Sequence, residues 1–464
     1  MTQTAIDLAE LRHTVVGTIH APGDAAYDEA RIVWNGAIDR RPAAIVQVAN
    51  NDDVRAAIAF ARANGLELTV RGGSHNPAGT SIADGAVMID LRNLATVTVD
   101  PEARRARVGG GATLAMLDAA TQEHGLAIPA GMVSHTGVGG LTLGGGMGWL
   151  TRKAGLSIDN LVSAQVVTAD GRVLRASADE HPDLFWGIRG GGGNFGVVTE
   201  FEFALHHAGP IVHFAMLFFG LDQLGDVLRV AREDIPGLPA DVNVVVGALN
   251  APPEPFVPAE FHFRPGAALM VTGFGSPDQH AAALEQFRAR LTPLFEMVAP
   301  IPYVALQQMI DAPNAFGVHA YEKGTRIPEL TDDVVAVYVE HVARKQSPLS
   351  LALLYRLDNA FSAVGDADTA YGGPRAPHWQ AFVVGVSPVP EGLAAERDWV
   401  RGFWDGLQPH VGAGGSYVNG IADYDAEMVA KAYGSKLERL AQVKATYDPD
   451  NVFHHNANIK PAAA

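Results

Sequence analysis

The chain has 464 residues, of which 48% are hydrophobic and 18% charged, and its formal net charge is −17. These values are typical of a globular protein with two or three cores, and an acidic chain without Lys/Arg clusters excludes nucleic acid and anionic membranes as partners. The sequence contains no cysteine, which excludes disulfides, thiolate metal sites and a cysteine nucleophile.

The N-terminal segment predicts no targeting signal. Residues Met1 to Leu11 combine polar and acidic side chains and lack the basic flank and apolar run of a signal peptide. No apolar stretch approaches the roughly 18 residues that a membrane helix requires. We therefore expect a cytoplasmic protein without membrane spans.

A strand-helix-strand unit leads to the first conspicuous loop. Residues 41–48 form a predicted strand, residues from about 51 to 64 a helix, and the alternating Leu66–Val70 a second strand. The loop that follows is Arg71-Gly72-Gly73-Ser74-His75-Asn76. Its glycines allow backbone amides to turn toward an anion, and His75 can act as nucleophile, base or ligand. A polar loop with a solvated histidine is the alternative.

A second glycine-rich passage runs from Pro129 to Gly148. So many glycines in an otherwise ordinary chain indicate backbone pressed against a large flat or polyanionic ligand, or else a string of tight turns. A hairpin is expected next, with strands at 162–168 and 172–177. Residues Gly191, Gly193 and Gly196 then match G-x-G-x-x-G, but the alternating residues after them predict a strand. A dinucleotide fingerprint must open a helix, so we reject a Rossmann site.

From about residue 209 the glycine clusters end, and longer strands and amphipathic helices follow. The predicted strands cover residues 213–219, 242–249, 268–274, 349–357 and 380–386. The predicted helices lie near residues 221–233, 279–291, 331–342 and 393–407. This succession of strands and helices indicates an antiparallel sheet covered by helices on one face.

The C-terminal region is expected to contain a strand at 416–419 and a helix from about 426 to 443. The turn around Pro449 then releases a polar tail, Phe453 to Ile459, that is rich in amide and imidazole groups. The pairs His206-His207 and His454-His455 suggest metal binding. We predict no metal site, because adjacent side chains of a strand point to opposite sides and no spaced carboxylate accompanies them.

Together these motifs, in this order, resemble the FAD-linked oxidases of the berberine bridge enzyme-like group, within the vanillyl-alcohol oxidase fold superfamily. The resemblance covers about residues 40–207 and 412–461. It implies an α+β fold with a two-lobed FAD-binding domain at residues 1–207, completed by residues 412–464. Residues 208–411 would form the substrate-binding domain.

The resemblance also implies that His75 is bonded covalently to the flavin. The cofactor-binding residues that it implies are Arg71, Gly72, Gly73, Ser74, His75, Asn76, Gly131, Val133, Thr136, Gly137, Gly140, Leu141, Gly144, Gly145, Gly148, Asn160, Gly193, Gly196, Val198, Asn456 and Asn458. Many relatives attach the flavin a second time through a cysteine, where this chain has Val133. Attachment through His75 alone is therefore expected.

The catalytic base is not implied, because Gly420 stands where many relatives carry a catalytic tyrosine after Tyr-x-Asn. Candidates by position are Tyr417, Tyr371, His378 and His135, and each is alternatively a packed structural residue. The implied reaction moves hydride from an alcohol or amine C–H of a small organic substrate to flavin N5 and then to oxygen. A dehydrogenase with another electron acceptor and a non-catalytic flavin-binding protein are the alternatives. We expect a monomer or homodimer.

Overall fold

The computed structural model describes residues 6–412 and 415–463. The N-terminal lobe contains a four-stranded sheet with the order β1-β2-β4-β3, in which β2, β4 and β3 are parallel and β1 is antiparallel. Its elements are α1 (Ala9–Thr14), β1 (Thr18–His20), α2 (Tyr27–Ala30), β2 (Ala44–Gln47), α3 (Asn51–Ala63), β3 (Leu68–Arg71) and β4 (Val87–Asp90). Apolar residues of α3 pack on the sheet, and β3 delivers the Arg71–Asn76 loop as predicted.

The second lobe is an antiparallel five-stranded sheet with the order β5-β6-β10-β8-β9, beside which β7 and β11 form a two-residue ladder. Its elements are β5 (Val97–Asp100), β6 (Arg105–Gly109), α4 (Leu114–Gln122), β7 (Leu126–Ala127), α5 (Val138–Gly144), α6 (Thr151–Ala154), β8 (Leu161–Val167), β9 (Val173–Ser177), α7 (Pro182–Ile188), β10 (Val197–Ala204) and β11 (His206–His207). Strand β10 directly follows Gly196, which is why G-x-G-x-x-G marks no Rossmann site here.

The middle of the chain forms an antiparallel seven-stranded sheet with the order β15-β12-β14-β13-β17-β18-β16. Its elements are β12 (Ile211–Gly220), α8 (Leu224–Asp234), β13 (Val242–Asn250), β14 (Pro265–Gly273), α9 (Pro277–Arg288), β15 (Phe295–Pro302), α10 (Tyr303–Gln308), β16 (His319–Ile327), α11 (Asp332–Val342), β17 (Leu351–Leu357), β18 (His378–Ser387) and α12 (Leu393–Leu407). Helices α8, α9, α11 and α12 cover one face with a large apolar core. The other face turns toward the two lobes.

The C-terminal region corrects two predictions. Residues 418–420 form a 3₁₀ turn where a strand is expected, and the single expected helix is two helices, α13 (Ala426–Tyr433) and α14 (Leu437–Tyr447). Gly434 separates them with φ of 53°, a left-handed conformation that favours glycine.

The tail after α14 is held by a buried lysine. The Lys444 ammonium group donates to the Asp448 carboxylate at 2.6 Å and to the backbone carbonyls of Asn194 and Phe453. Both charged side chains are fully buried, and the hydrogen bonds compensate the charges. The tail is therefore fixed against the second lobe.

These elements form the expected α+β architecture, with two lobes on one side and the helix-covered antiparallel sheet on the other. In the described stretches 6–412 and 415–463, none of the helices has both the length and the apolar character needed to cross a bilayer.

Candidate active site

A cavity of about 420 Å³ lies where the glycine loops of the two lobes, the C-terminal tail and the seven-stranded sheet meet. Most of the residues expected to contact a cofactor line it. They are Gly72, Gly73, Ser74, His75, Asn76, Gly131, Val133, Thr136, Gly137, Gly140, Leu141, Gly193, Gly196, Val198 and Asn456. Segments far apart in sequence thus meet around one space.

His75 is fixed within this cavity by aromatic and imidazole contacts. Its ring stacks on Trp34 with centroids 4.5 Å apart, and its Nε2 lies 2.9 Å from Nδ1 of His135. Burial, and then the neighbouring His135, lower the pKa of His75 to about 3. The His75 imidazole is therefore neutral near pH 7, which is the form that acts as a nucleophile.

Two glycine loops touch beside His75. A Cβ placed on Gly137 would lie 2.2 Å from the backbone nitrogen of Gly73, and a Cβ on Gly73 would lie equally close to the nitrogen of Gly137. Backbone atoms cannot rotate away as a side chain can. Contact between the two loops therefore requires glycine at both positions.

We expect Gly137→Ala to push these loops apart and to lower the free energy of unfolding by about 1–3 kcal/mol. The matched control is Gly140→Ala, three residues further along, where a Cβ meets no atom within 4 Å. Alanine within α5 should leave stability unchanged or raise it by up to about 1 kcal/mol. Urea denaturation of both variants measures the difference, and equal midpoints would contradict the steric argument.

Six of the expected cofactor residues lie outside the cavity wall, and the structure gives several of them packing roles. Arg71 is buried and donates to the Ala30 carbonyl, and Asn160 donates to the carbonyls of Ala154 and Leu156. The other four are Gly144, Gly145, Gly148 and Asn458. Of these, Gly145 packs against tyrosine rings and Gly148 against a backbone carbonyl. These contacts of Gly145 and Gly148 shape the loops.

Of the four candidate bases, only Tyr417 lines the cavity. Its hydroxyl oxygen accepts hydrogen bonds from the backbone nitrogen of Gly146 at 2.9 Å and from Nδ2 of Asn419 at 3.0 Å. Burial raises the pKa of Tyr417 above its usual value. This hydroxyl is a poor proton acceptor near pH 7.

The other three candidates do not face the cavity. Tyr371 is buried against the guanidinium groups of Arg326 and Arg375. His378 is buried, its Nδ1 lies 2.8 Å from the Ala376 carbonyl oxygen, and burial lowers its pKa to about 4. His135 contacts His75 and Phe316 instead of the open space. The geometry therefore removes these three as direct proton acceptors for a substrate.

The seven-stranded sheet forms another wall of the cavity. This wall is the face of β16, β17 and β18 that the helices do not cover. Strand alternation sends one set of side chains into the helix-covered core and the other set into the cavity. The cavity-facing positions on β17 and β18 are apolar apart from one tyrosine hydroxyl; they are Leu351, Leu353, Tyr355, Phe382, Val384 and Val386.

Glu322 of β16 is the acidic side chain in this wall. It pairs in register with Val384, which in turn pairs with Leu351, so the three lie in one row across the sheet. Burial raises the pKa of Glu322 to about 7. A carboxyl group with that pKa can accept a proton near neutral pH.

The sequence analysis missed several residues that the structure brings into the site. They are Trp34, which stacks on His75, Glu322, and Tyr424, whose hydroxyl accepts from Nδ2 of Asn76 at 2.8 Å. Trp34 and Tyr424 carry no local signal of these contacts, because both partners are distant in sequence. Glu322 lies in β16, a strand that the sequence analysis did not predict, so its charge alone did not identify it.

The wall also carries buried polar atoms suited to a polar ligand. Within the described part of the chain, Thr69 Oγ1, Ser74 Oγ and Asn456 Oδ1 are buried and have no hydrogen-bond partner. Unpaired buried polar atoms are costly, so a ligand with matching groups is expected there. A flavin nucleotide suits this cavity, because the wall offers glycine backbone, unpaired polar atoms and a neutral histidine.

Comparisons with known proteins agree with this fit. The family model described as FAD binding domain matches residues 42–177, and the one described as berberine and berberine like matches residues 416–460. (R)-6-Hydroxynicotine oxidase of Paenarthrobacter nicotinovorans is 30% identical over 97% of both chains. The chain belongs to the berberine bridge enzyme-like family of FAD-linked oxidoreductases.

Other relatives of this family share the whole length of the chain. An FAD-linked oxidoreductase of Dictyostelium discoideum is 29% identical over 97% of this chain and 96% of its own. The crystal structure of 6-hydroxy-D-nicotine oxidase from Arthrobacter nicotinovorans superposes with a TM-score of 0.84 at 27% identity, covering 99% and 100% of the two chains. The chain is thus an FAD-dependent oxidoreductase with the vanillyl-alcohol oxidase type of fold.

Proposed function

We propose that this enzyme carries FAD covalently on His75 and oxidises a small, largely apolar alcohol or amine at the C–H bond next to the heteroatom. The observation that carries the proposal is that one cavity has two chemically different walls. One wall presents a neutral His75 among glycine loops, and the other is mostly apolar with a single carboxyl group. Residues 1–207 and 412–464 would hold the cofactor, and residues 208–411 the substrate.

Bound FAD supplies the hydride acceptor, N5, and returns the two electrons to molecular oxygen in an oxidase. Trp34 and His135 hold the imidazole of His75 in place for attachment to the flavin 8α carbon. Forming that bond would release two protons and two electrons, which molecular oxygen would take up. The sequence has no cysteine, so His75 is the one attachment point in this proposal.

Glu322 is proposed to accept the O–H or N–H proton of the substrate. Its carboxylate faces the cavity from an otherwise apolar row of side chains, where a small substrate would sit between it and the glycine loops. The apolar residues exclude water, which strengthens the electrostatic interaction between the carboxylate and a polar substrate group. Tyr417, by contrast, orients the Gly146 backbone and Asn419.

Two electron acceptors are considered for the reduced flavin: molecular oxygen, as in an oxidase, and another acceptor, as in a dehydrogenase. The full-length relative at 30% identity is named an oxidase, which favours oxygen as the electron acceptor. Dehydrogenation with another electron acceptor is the second candidate: Thr136 lines the cavity, and the resemblance to the family implies that this position controls the access of oxygen to the flavin.

The test is anaerobic mixing of the purified enzyme with a panel of apolar alcohols and amines while the visible flavin absorbance is followed. We expect bleaching by at least one class of substrate, and recovery of absorbance with release of hydrogen peroxide when air is admitted. Bleaching without recovery in air would identify a dehydrogenase. A flavin that no panel member bleaches would contradict the proposed substrate classes.

A further inference from the structure

Three side chains converge at the edge of the reaction cavity, at the junction between the C-terminal tail and the first lobe; of the three, His455 also lines the cavity. Glu67 lies directly before β3, and His454 and His455 lie in the tail. The Oε2 atom of Glu67 is 2.5 Å from Nε2 of His454 and 3.1 Å from Nε2 of His455. One ligand atom from each residue falls within 4.8 Å of the others.

This arrangement corrects the expectation that adjacent histidines point apart. That rule holds for a strand, whereas residues 454 and 455 lie in irregular backbone. Their rings are tilted by 30° with centroids 4.8 Å apart, and both direct Nε2 toward the same carboxylate oxygen. The carboxylate missing from the sequence pattern comes from Glu67, which is distant in sequence and directly precedes β3.

The backbone contact of His454 determines which of its ring nitrogens faces Glu67. Its Nδ1 lies 2.8 Å from the backbone carbonyl oxygen of Asn451, and because a carbonyl only accepts, Nδ1 carries a hydrogen. Nε2 is then the nitrogen that points at the carboxylate oxygen of Glu67, 2.5 Å away. A cation between the two atoms, either a second proton or a metal ion, accounts for this close approach.

The three donor atoms form a set that suits a metal ion. Two imidazole nitrogens and one carboxylate oxygen form a ligand combination typical of zinc. The bond from His454 Nδ1 to a backbone carbonyl is the outer-shell contact that orients metal-binding histidines. The Glu67 side chain is 53% exposed, so it can rotate until each ligand atom lies at about 2.0–2.2 Å from zinc.

We propose that Glu67, His454 and His455 bind one divalent transition-metal ion of the zinc type, with an open position for water. The ion would fasten the tail, which lines the cavity at Asn456, to the start of β3. The proposal does not rest on the proposed function, because it concerns zinc binding alone and its test needs no substrate.

Isothermal titration of the purified flavin-loaded protein with zinc chloride, above the usual pKa of histidine, tests the site without any substrate. We expect one zinc ion per chain and a higher melting temperature with zinc. Glu67→Gln and His455→Ala should each weaken zinc binding by at least about tenfold. His207→Ala is the matched control, since this exposed histidine belongs to the other His-His pair and should leave binding unchanged.

Two results would overturn the proposal. In the first, the wild-type protein binds no zinc and its melting temperature falls only as pH rises past the titration of histidine, which would show that a proton on His454 holds the cluster. In the second, zinc binds equally well to the wild type and to both variants, which would place the ion elsewhere. Circular dichroism of each variant verifies that it is folded.

Discussion

Replacing His75 by alanine should yield a folded protein that retains no flavin after acid denaturation. His75 lines the cavity as a neutral imidazole, and the sequence offers no cysteine as a second attachment point. Alanine leaves no nucleophile at that position. Flavin fluorescence of the denatured chain on an acid-treated gel is expected to fall from a strong band to background.

Two further variants show whether this loss is specific. His135→Ala removes the contact to Nε2 of His75 and should lower the covalently bound fraction without abolishing it. His124→Ala changes an exposed histidine that does not line the cavity and should keep full fluorescence. Fluorescence that persists in His75→Ala would assign the attachment to another residue.

Glu322→Gln should reduce turnover by about 10²–10⁴-fold, the usual contribution of a general base. Glutamine keeps the shape of the side chain but cannot accept the substrate proton. Because burial raises the pKa of Glu322 to about 7, its carboxylate form disappears as pH falls through that value. In the wild type, kcat/KM is therefore expected to rise with pH and to level off above about 7.

The pH profile distinguishes a proton acceptor from a residue that only shapes the cavity. Glu322→Gln should flatten the rise between acidic and neutral pH, whereas Tyr417→Phe should retain it. Stopped-flow measurement of flavin reduction across pH gives both profiles without interference from the reaction with oxygen. An unchanged rise in Glu322→Gln would show that another group takes the proton.

The sequence predicted the inner strands of the large sheet and missed its two edges. Strands β12, β13, β14, β17 and β18 are strongly apolar, which makes them easy to recognise. The missed strands are β15, which contains Pro300 and Pro302, and β16, in which charged residues and a glycine interrupt the pattern. Edge strands tolerate proline and charge because one side of each forms no ladder.

The part of the site that was predictable from the sequence is the part where close backbone contacts require glycine. Glycine clusters and His75 identified much of the cavity wall that the two lobes form, since close contact between loops requires glycine at defined positions. The proposed base was not predictable, because the sequence does not show which of Tyr371, His378 and Glu322 the tertiary structure directs into the cavity. The 3₁₀ turn at residues 418–420 was likewise missed: the Tyr424 hydroxyl donates to the Val418 carbonyl, and just after the turn the Ala422 nitrogen donates to the Glu322 carbonyl, contacts that no local pattern shows.

Because side chains alternate along β17 and β18, a substitution in either strand affects either the helix-covered core or the cavity. Ala352, Leu354, Ala381 and Val383 face the helices and maintain the core, whereas their immediate neighbours in the chain face the cavity. Substitutions at the cavity-facing positions can therefore reshape the space for a reactant while the fold and the glycine loops around His75 remain intact. Paralogues with the same cofactor could diverge toward new reactants through changes at every second residue of these two strands.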